Sequence, residues 1–252
     1  MQKNLVCPIC TSAAKLYDVV DFNKSCEEWR GKFLELSGMP VYYARCPHCG
    51  FCYAPEIAEW SLEQFEDKIY NKEYINIDPD YLQDRPKGNA GFLINMFANQ
   101  NLPSSHLDYG GGNGLLSQFL TQYGWNSASY DPFVDRGVTV SEVGKFELIT
   151  AYEVFEHVPD VHQLMLNLSE LLAKNGVVLF STLLSDQFIL ANQRLNWWYA
   201  APRNGHISLY AKDSLAILAK QHDLNFHSFS PLMHVFYYNM PSWARPIFTH
   251  KY

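Results

Sequence analysis

From residue 103 onward, short apolar runs alternate with longer stretches in which apolar residues recur every three or four positions. Residues 106–109, 127–130, 146–152 and 177–182 read as strands, and 115–123, 164–173 and 213–221 as helices. A short run at 138–140 reads as a third strand between the second and the fourth, and 225–229 and 233–238 as the last two. The run at 177–182 is apolar almost throughout, as expected of a strand covered on both faces of a parallel sheet. Asn175-Gly176 ends one helix, and Asp213 is placed to cap the next. This alternation predicts an α/β fold with an open, doubly wound sheet and a ligand at the carboxyl ends of the strands, near the switch point beside strand one.

The first hundred residues follow a different pattern. Residues 41–45 and 51–53 alternate like the arms of a hairpin, and 59–70 carry Trp60, Phe65 and Ile69 close to helical spacing. The stretch NKEYINIDPDYLQDRP is polar, aromatic and interrupted by proline, which suits a loop or lid, and residues 92–98 resume a helix. The expected organisation is a small module at 1–55, a helical linker or lid at 56–100 and a ligand-binding domain at 101–252.

All six cysteines stand at positions 7, 10, 26, 46, 49 and 52, which gives the module its own chemistry. Cys7-Pro-Ile-Cys10 and Cys46-Pro-His-Cys49-Gly50 are two C-x-x-C turns, each aiming two thiolates at one point. Together they supply the four soft ligands of a tetrahedral structural zinc in a ribbon-like module, and four thiolates leave no open position for catalysis. A module with so few other core residues needs its metal to fold. Disulfides are the competing reading, disfavoured because the start MQKNLVCPIC lacks the apolar run of a secretion signal. Cys26 and Cys52 read as buried small residues or further ligands, with His48 as a spare.

Composition narrows the function classes. Hydrophobic residues make up 48% and charged residues 18% of the 252, so the chain is expected to fold rather than remain disordered. The net charge of −7 offers phosphate backbones no general attraction, which argues against nucleic acid as a partner. No segment approaches the roughly 18 uninterrupted apolar residues of a membrane span. A cytoplasmic protein acting on a small molecule, possible as an oligomer, is the expectation.

The stretch LDYGGGNG, residues 107–114, closes strand one with a carboxylate and a glycine loop. It does not fit the dinucleotide fingerprint G-x-G-x-x-G: counted from Gly110 the third glycine falls on Leu115, and counted from Gly112 it falls on Ser117. Asp108 would also repel a pyrophosphate lying against the loop and helix N-terminus. A cationic ammonium would instead be welcomed there. A ligand with an amino acid at one end and a nucleoside at the other meets both conditions.

The pattern D-x-G-x-G-x-G formed by Asp108, Gly110, Gly112 and Gly114 resembles motif I of the class I S-adenosylmethionine (SAM) dependent methyltransferases. Asp131 in ASYDPF is similar to the acid that ends strand two of that family and accepts both ribose hydroxyls, with Pro132 beside it. AYEVFEHVPD, residues 151–160, resembles the segment after strand four in the branch that includes the ubiquinone O-methyltransferases. The resemblance covers roughly residues 65–235. It implies a Rossmann-like, seven-stranded sheet with a reversed last strand, SAM as cofactor, and Tyr109 to Gly112 around the methionine part. It also places Glu153 along the ligand and Tyr74, in IYNKEY, over its methionine end. The adenine contact would fall near Ser141 or Glu142, where this sequence departs from the family's acidic-plus-apolar pair.

For catalysis, methyl transfer needs alignment first and a base only for a protonated acceptor. His157 follows Glu156 after strand four, as a base or as an organiser of the loop. LNWWYAAPRNGHISLY, residues 195–210, resembles a segment of bacterial methyltransferases of sugar and polysaccharide pathways. His206 is the first choice for a base or acceptor ligand, its alternative being a histidine bonded to backbone. Trp197, Trp198 and Tyr199 read as an aromatic floor for the acceptor or as cover for the core. Arg203 reads as a partner for an acceptor phosphate or as a solvated surface residue. The sugar C-methyltransferases share an N-terminal cysteine module but carry a further C-terminal domain, which this chain ends too soon to contain. The leading expectation is therefore methyl transfer to a small-molecule hydroxyl of a sugar or related metabolite. A zinc-module RNA methyltransferase and a non-catalytic SAM-binding protein are the alternatives.

Overall fold

A computed structural model describes residues 5–248; residues 1–4 and 249–252, with the part of the chain start and tail read above that falls on them, lie outside the described residues. The strands are β1 (Lys15–Asp21), β2 (Pro40–Arg45), β3 (Cys52–Tyr53), β4 (His106–Tyr109), β5 (Ser127–Tyr130), β6 (Phe146–Tyr152), β7 (Leu172–Ser181), β8 (Ser208–Leu209), β9 (Asn225–Ser228) and β10 (Met233–Tyr237). The helices are α1 (Pro55–Ala58), α2 (Leu62–Lys68), α3 (Tyr74–Ile77), α4 (Asp84–Met96), α5 (Leu115–Gln122), α6 (Val140–Val143), α7 (Val161–Leu171), α8 (Lys212–Gln221) and α9 (Arg245–Phe248). No helix among the described residues is long and apolar enough to cross a membrane.

The chain divides into two compact units that interleave along the sequence. The first holds the described residues up to Pro79 together with Phe155–His162 and Leu183–Leu218, and the second holds Asp80–Val154, Gln163–Thr182 and the described residues from Ala219. Neither residue 55 nor residue 100 is a boundary between them, because the segments that follow β6 and β7 fold with the N-terminal residues.

In the first unit the order is β1-β2-β3-β8, antiparallel throughout. The hairpin expected around the second C-x-x-C turn is present, with Ala44 opposite Tyr53 and Arg45 opposite Cys52. Two partners are added that periodicity did not indicate: β1, and a two-residue strand from the far C-terminal third. This sheet shares one core with Ile57, Phe65, Ile69 and Tyr199, to which its own Cys52 and Leu209 contribute. Burial pushes the Cys52 thiol up, so it stays a neutral packing residue. The polar stretch read as a loop folds instead into α3 and a 3-10 turn at Pro79–Tyr81, because Tyr74 and Ile77 find places in the core. Ser61 and Gln64 form a reciprocal capping box that starts α2.

In the second unit the order is β5-β4-β6-β7-β10-β9. The pairs β4/β5, β4/β6 and β6/β7 are parallel, and β10 runs antiparallel to both β7 and β9, which is the reversed last strand expected. Chain order reverses on either side of β4, so the crevice at its carboxyl end is the ligand position for an open sheet. The sheet has six strands among the described residues, not seven. Residues 138–140 do not pair, because Thr139 and Glu142 cap each other and turn the chain into α6. Helix α7 ends at Leu171, earlier than expected, and β7 starts at once; its register against β6 slips between Phe146 and Leu148, which accommodates Asn175-Gly176 inside the strand. Asp213 lies within the first turn of α8 rather than capping it, and the Asp186 carboxylate accepts the Lys212 N–H instead, at 2.9 Å.

The core of the second unit lies between the sheet and helices α4 and α5, with Leu93, Phe97, Leu120, Leu148, Val177 and Val235 inside. On the other side of β7, Phe180 is fully buried and stacks on Phe236 with ring centroids 4.5 Å apart. Replacing Phe180 by Ala is expected to cost about 3–5 kcal/mol, the lost transfer energy plus a cavity that a strand bonded on both sides cannot close. Urea unfolding followed by tryptophan fluorescence checks this, and a loss below about 1 kcal/mol would show that the site collapses.

Candidate functional site

In the second unit, β4 delivers Asp108 to the crevice, and the chain then turns through the glycine loop into α5. Asp108 is only 4% exposed. Thr150 on β6 donates to its Oδ1 at 2.9 Å, and the Thr150 oxygen lies 3.0 Å from His106 Nε2. His106 Nδ1 in turn lies 2.7 Å from the Ser127 hydroxyl. Burial holds His106 down to about 3, so it is neutral and carries one N–H. Thr150 already donates to Asp108 and therefore accepts from Nε2–H, which makes the Ser127 hydroxyl the donor to Nδ1. The outcome is a fixed chain of hydrogen bonds from β5 through β4 and β6 to the carboxylate. Burial pushes Asp108 up to about 7; the Thr150 bond opposes this, and the charge of Asp131 adds to it. No cation among the described residues pairs with it.

Two glycines are required by close approach. At Gly110, with φ +73°, a Cβ would stand 2.6 Å from Val154 Cγ2, and at Gly111 it would stand 2.6 Å from Asp108 Oδ2. The loop is thus threaded between the end of β6 and the carboxylate. Gly112 donates its N–H to Asp131 Oδ2 at 2.9 Å, and the N–H of Phe133 reaches Oδ1 at 2.8 Å. Each Asp131 oxygen keeps a further lone pair. Gly114 precedes α5 as its N-cap, Tyr109 Oη accepts from Asn167 at 3.0 Å, and Pro132 follows Asp131 in the turn after β5. Glu153 sits just past β6 at φ +53°, held there by two bonds to Ser181 Oγ of 2.9 Å each. A non-glycine residue held in this region signals a constraint imposed by its surroundings. Tyr152 beside it has a buried hydroxyl without a partner among the described residues.

The first unit gathers a second group. The 3-10 turn Phe155–His157 is pinned by the segment leading into β8 and α8: Ile207 N–H donates to the Glu156 carbonyl at 2.9 Å, Ser208 Oγ to Val158 O at 3.0 Å and Tyr210 Oη to Phe155 O at 3.1 Å. This brings ligating atoms of Glu156, His157 and His206 within 4.8 Å of one another. Glu156 is fully buried, and Tyr199 Oη donates to its Oε1. His206 is buried, its Nδ1 2.8 Å from the Tyr199 carbonyl and 3.7 Å from Cys26 Sγ. His157 is partly buried, its Nδ1 3.2 Å from Tyr70 Oη, and its ring meets that of His206 edge to face at 4.8 Å.

The alternatives left open by the sequence separate here. Arg203 is not a solvated surface residue: it is buried, its Nη1 donates to Ile69 O at 3.1 Å, and burial lowers its pKa against the opposing effect of Tyr74 and Glu73. Trp197 stacks face to face on Phe188 at 4.9 Å and, with Tyr199, belongs to the core; Trp198 is partly buried beside Trp29. Tyr74 lies in the first unit, where its hydroxyl donates to Asn204 O at 3.3 Å.

The four cysteines of the C-x-x-C turns converge, Cys7 Sγ standing 3.6 Å from Cys49 Sγ and Cys10 Sγ 3.4 Å from Cys46 Sγ. Each turn is closed by backbone bonds: Thr11 N–H to Cys7 O at 3.0 Å, and Gly50 N–H to Cys46 O at 3.0 Å. Four thiols at that spacing match the edges of a tetrahedron around one ion with bonds of about 2.3 Å.

Sequence reasoning did not single out His106, Thr150, Tyr70 or Tyr152 in these roles. For the first two a signal existed: a polar side chain in an otherwise apolar strand of a parallel sheet needs a partner. Tyr70 carried no such signal, since its partner lies 87 positions away.

Comparison with known proteins bears on residues 81–228, which match a family described as "Methyltransferase domain" over more than half of the chain. A search of curated proteins returned no match. Among solved structures, an O-methyltransferase family protein from Burkholderia thailandensis is similar at 10% identity and a TM-score of 0.49, over 71% of this chain and 63% of that one. A putative O-methyltransferase from Nostoc punctiforme is similar at 13% identity and a TM-score of 0.45, over 66% and 59%. The plantazolicin methyltransferase BpumL, solved with a monoazolic desmethylPZN analog and SAH, gives 14% identity and a TM-score of 0.48, over 72% and 95%. The chain thus spans less than two thirds of the length of the first two.

The Asp108 network can be tested without a ligand. Thr150→Val removes the bond that favours the carboxylate, so the Asp108 pKa is expected to climb further above about 7. Carboxyl carbon NMR titration of both proteins reads this directly, and an unchanged midpoint would show that the Thr150 hydroxyl does not serve Asp108.

Proposed function

The chain belongs to the methyltransferase-domain family, and we propose that it transfers a methyl group from SAM to a hydroxyl of a small molecule, of sugar or related type. The observation that carries the donor half of this reading is the buried carboxylate of Asp108, unpaired by any cation among the described residues, at the carboxyl end of β4. A ligand ammonium supplies the missing charge, and the orphaned Tyr152 hydroxyl next to Glu153 offers the same ligand a further polar contact. Asp131 has lone pairs left for two ribose hydroxyls. Tyr109, Gly110, Gly112, Gly114, Pro132 and Glu153 complete the donor-binding set. When bound, the sulfonium of SAM supplies an activated methyl group with a good leaving group.

Glu156, His157 and His206 form the group that activates the acceptor hydroxyl, with Trp198, Tyr199 and Arg203 around the acceptor. Tyr199 holds the Glu156 carboxylate, and its backbone carbonyl fixes a proton of His206 on Nδ1. Cys7, Cys10, Cys46 and Cys49 hold a structural zinc that completes the small antiparallel sheet's module.

Calorimetry with SAM and with its demethylated product, followed by a methyl-transfer screen on nucleotide sugars, tests the proposal; failure of both cofactor forms to bind would end it. Two sharper outcomes are expected. Because Asp108 in the free protein titrates near 7 and a cation prefers the carboxylate, binding below that pH must displace a proton. SAM affinity should then fall about tenfold per pH unit below pH 7, and Asp108→Asn should abolish both this slope and most of the affinity. A wild-type profile flat between pH 5 and 8 (about two units below and one above the expected midpoint) would contradict the assignment. His206→Ala should keep SAM affinity while turnover drops by about 100-fold or more, and full turnover would remove His206 from the chemistry.

A further inference from the structure

Glu156, His157 and His206 present one carboxylate and two imidazoles to a common point, with their ligating atoms within 4.8 Å of one another. Glu156 and His206 are both buried, so the group is shielded from bulk water. The outer hydrogen bonds of the group have the arrangement that metal ligands use. His206 Nδ1 is 2.8 Å from a carbonyl oxygen, which can only accept, so that nitrogen carries a proton. His157 Nδ1 is engaged with Tyr70 Oη at 3.2 Å, and Glu156 Oε1 is held by Tyr199 Oη. The backbone is equally committed: Tyr43 Oη donates to the His206 carbonyl at 2.7 Å, and a Cβ on Gly205 would stand 3.0 Å from both His157 Nδ1 and Tyr70 Oη.

We propose that Glu156, His157 and His206 form a second metal site, separate in chemistry from the four cysteines, that binds a divalent transition cation. Two imidazoles and a carboxylate suit cations of the manganese-to-zinc series, whereas the cysteine cluster is a closed, soft set. Three protein ligands leave coordination positions open, and the ligand class that fills them is an acceptor presenting two adjacent oxygen atoms, such as a vicinal diol or a hydroxy-carbonyl compound. This last step rests on the methyl-transfer reading; the cation site itself does not.

The test is a cobalt titration of the full chain, read by equilibrium dialysis and absorption. Two equivalents are expected to bind the wild type, the one at the cysteines with a thiolate charge-transfer band and the other without. His157→Ala, at a partly exposed position, and His206→Ala should each lose only the second equivalent and keep the thiolate band, which also reports that the cysteine module is folded. Glu156→Gln should do the same, and Tyr70→Phe should weaken the second equivalent about tenfold. Uptake of one equivalent by the wild type, or a second equivalent indifferent to both histidine variants, would overturn the site. Turnover that requires His206 without a second equivalent would leave the methyl-transfer reading standing and remove the cation. A second equivalent in a chain that binds neither SAM nor its product would do the reverse.

Discussion

The constraint from which much of the second unit follows is the burial of one carboxylate. Asp108 lies near the carboxyl end of β4, between two parallel neighbours, where no described residue supplies a pairing positive charge. The sheet meets this with polar side chains inside strands that would otherwise be apolar: Thr150 on β6, His106 on β4 and Ser127 on β5 line up across adjacent strands. The register of three strands is thereby tied to the state of one side chain. The glycine loop is tied to it as well, since Gly111 has no room for a Cβ beside Oδ2.

The first unit solves a different problem. Its sheet is small, and two of its strands have only two residues, so most of its order comes from convergence of distant segments. Four thiols draw residues 7–10 and 46–49 together, and the segment around residues 199–210 closes on both Tyr43 and residues 155–158. Arg203 and Tyr199 are held in this packing by specific bonds, Arg203 to the Ile69 carbonyl and Tyr199 to Glu156. Polar groups buried this way rigidify a site because each has a single satisfied geometry.

Much of this was legible in the amino-acid order, for local reasons. Strand β6 matches residues 146–152, and β4 and β5 match 106–109 and 127–130, because each is a short segment bounded by turn signals within an alternation of strands and helices. The C-x-x-C turns and the glycine loop were legible because each is a few residues long and its chemistry depends on spacing alone. The short run at 138–140 misled because its valines suggested a strand, while the Thr139–Glu142 capping box, equally local, stabilised a helix. Strand β1 was missed because its pattern becomes informative only once its partner β2 is known.

By itself, then, the sequence determined the parallel sheet, the thiol pairs and the carboxylate-and-glycine loop, since these rest on periodicity and on turns that close within a few residues. Only the tertiary structure decided which side chains those elements meet. It placed Tyr70 beside His157 and Cys26 beside His206, pairs separated by 87 and 180 positions. It turned Arg203 inward and Trp197 into core. The physical reason is that such meetings depend on the route of the whole chain and on which buried polar group finds a partner at its end. No window of the sequence contains both members of the pair.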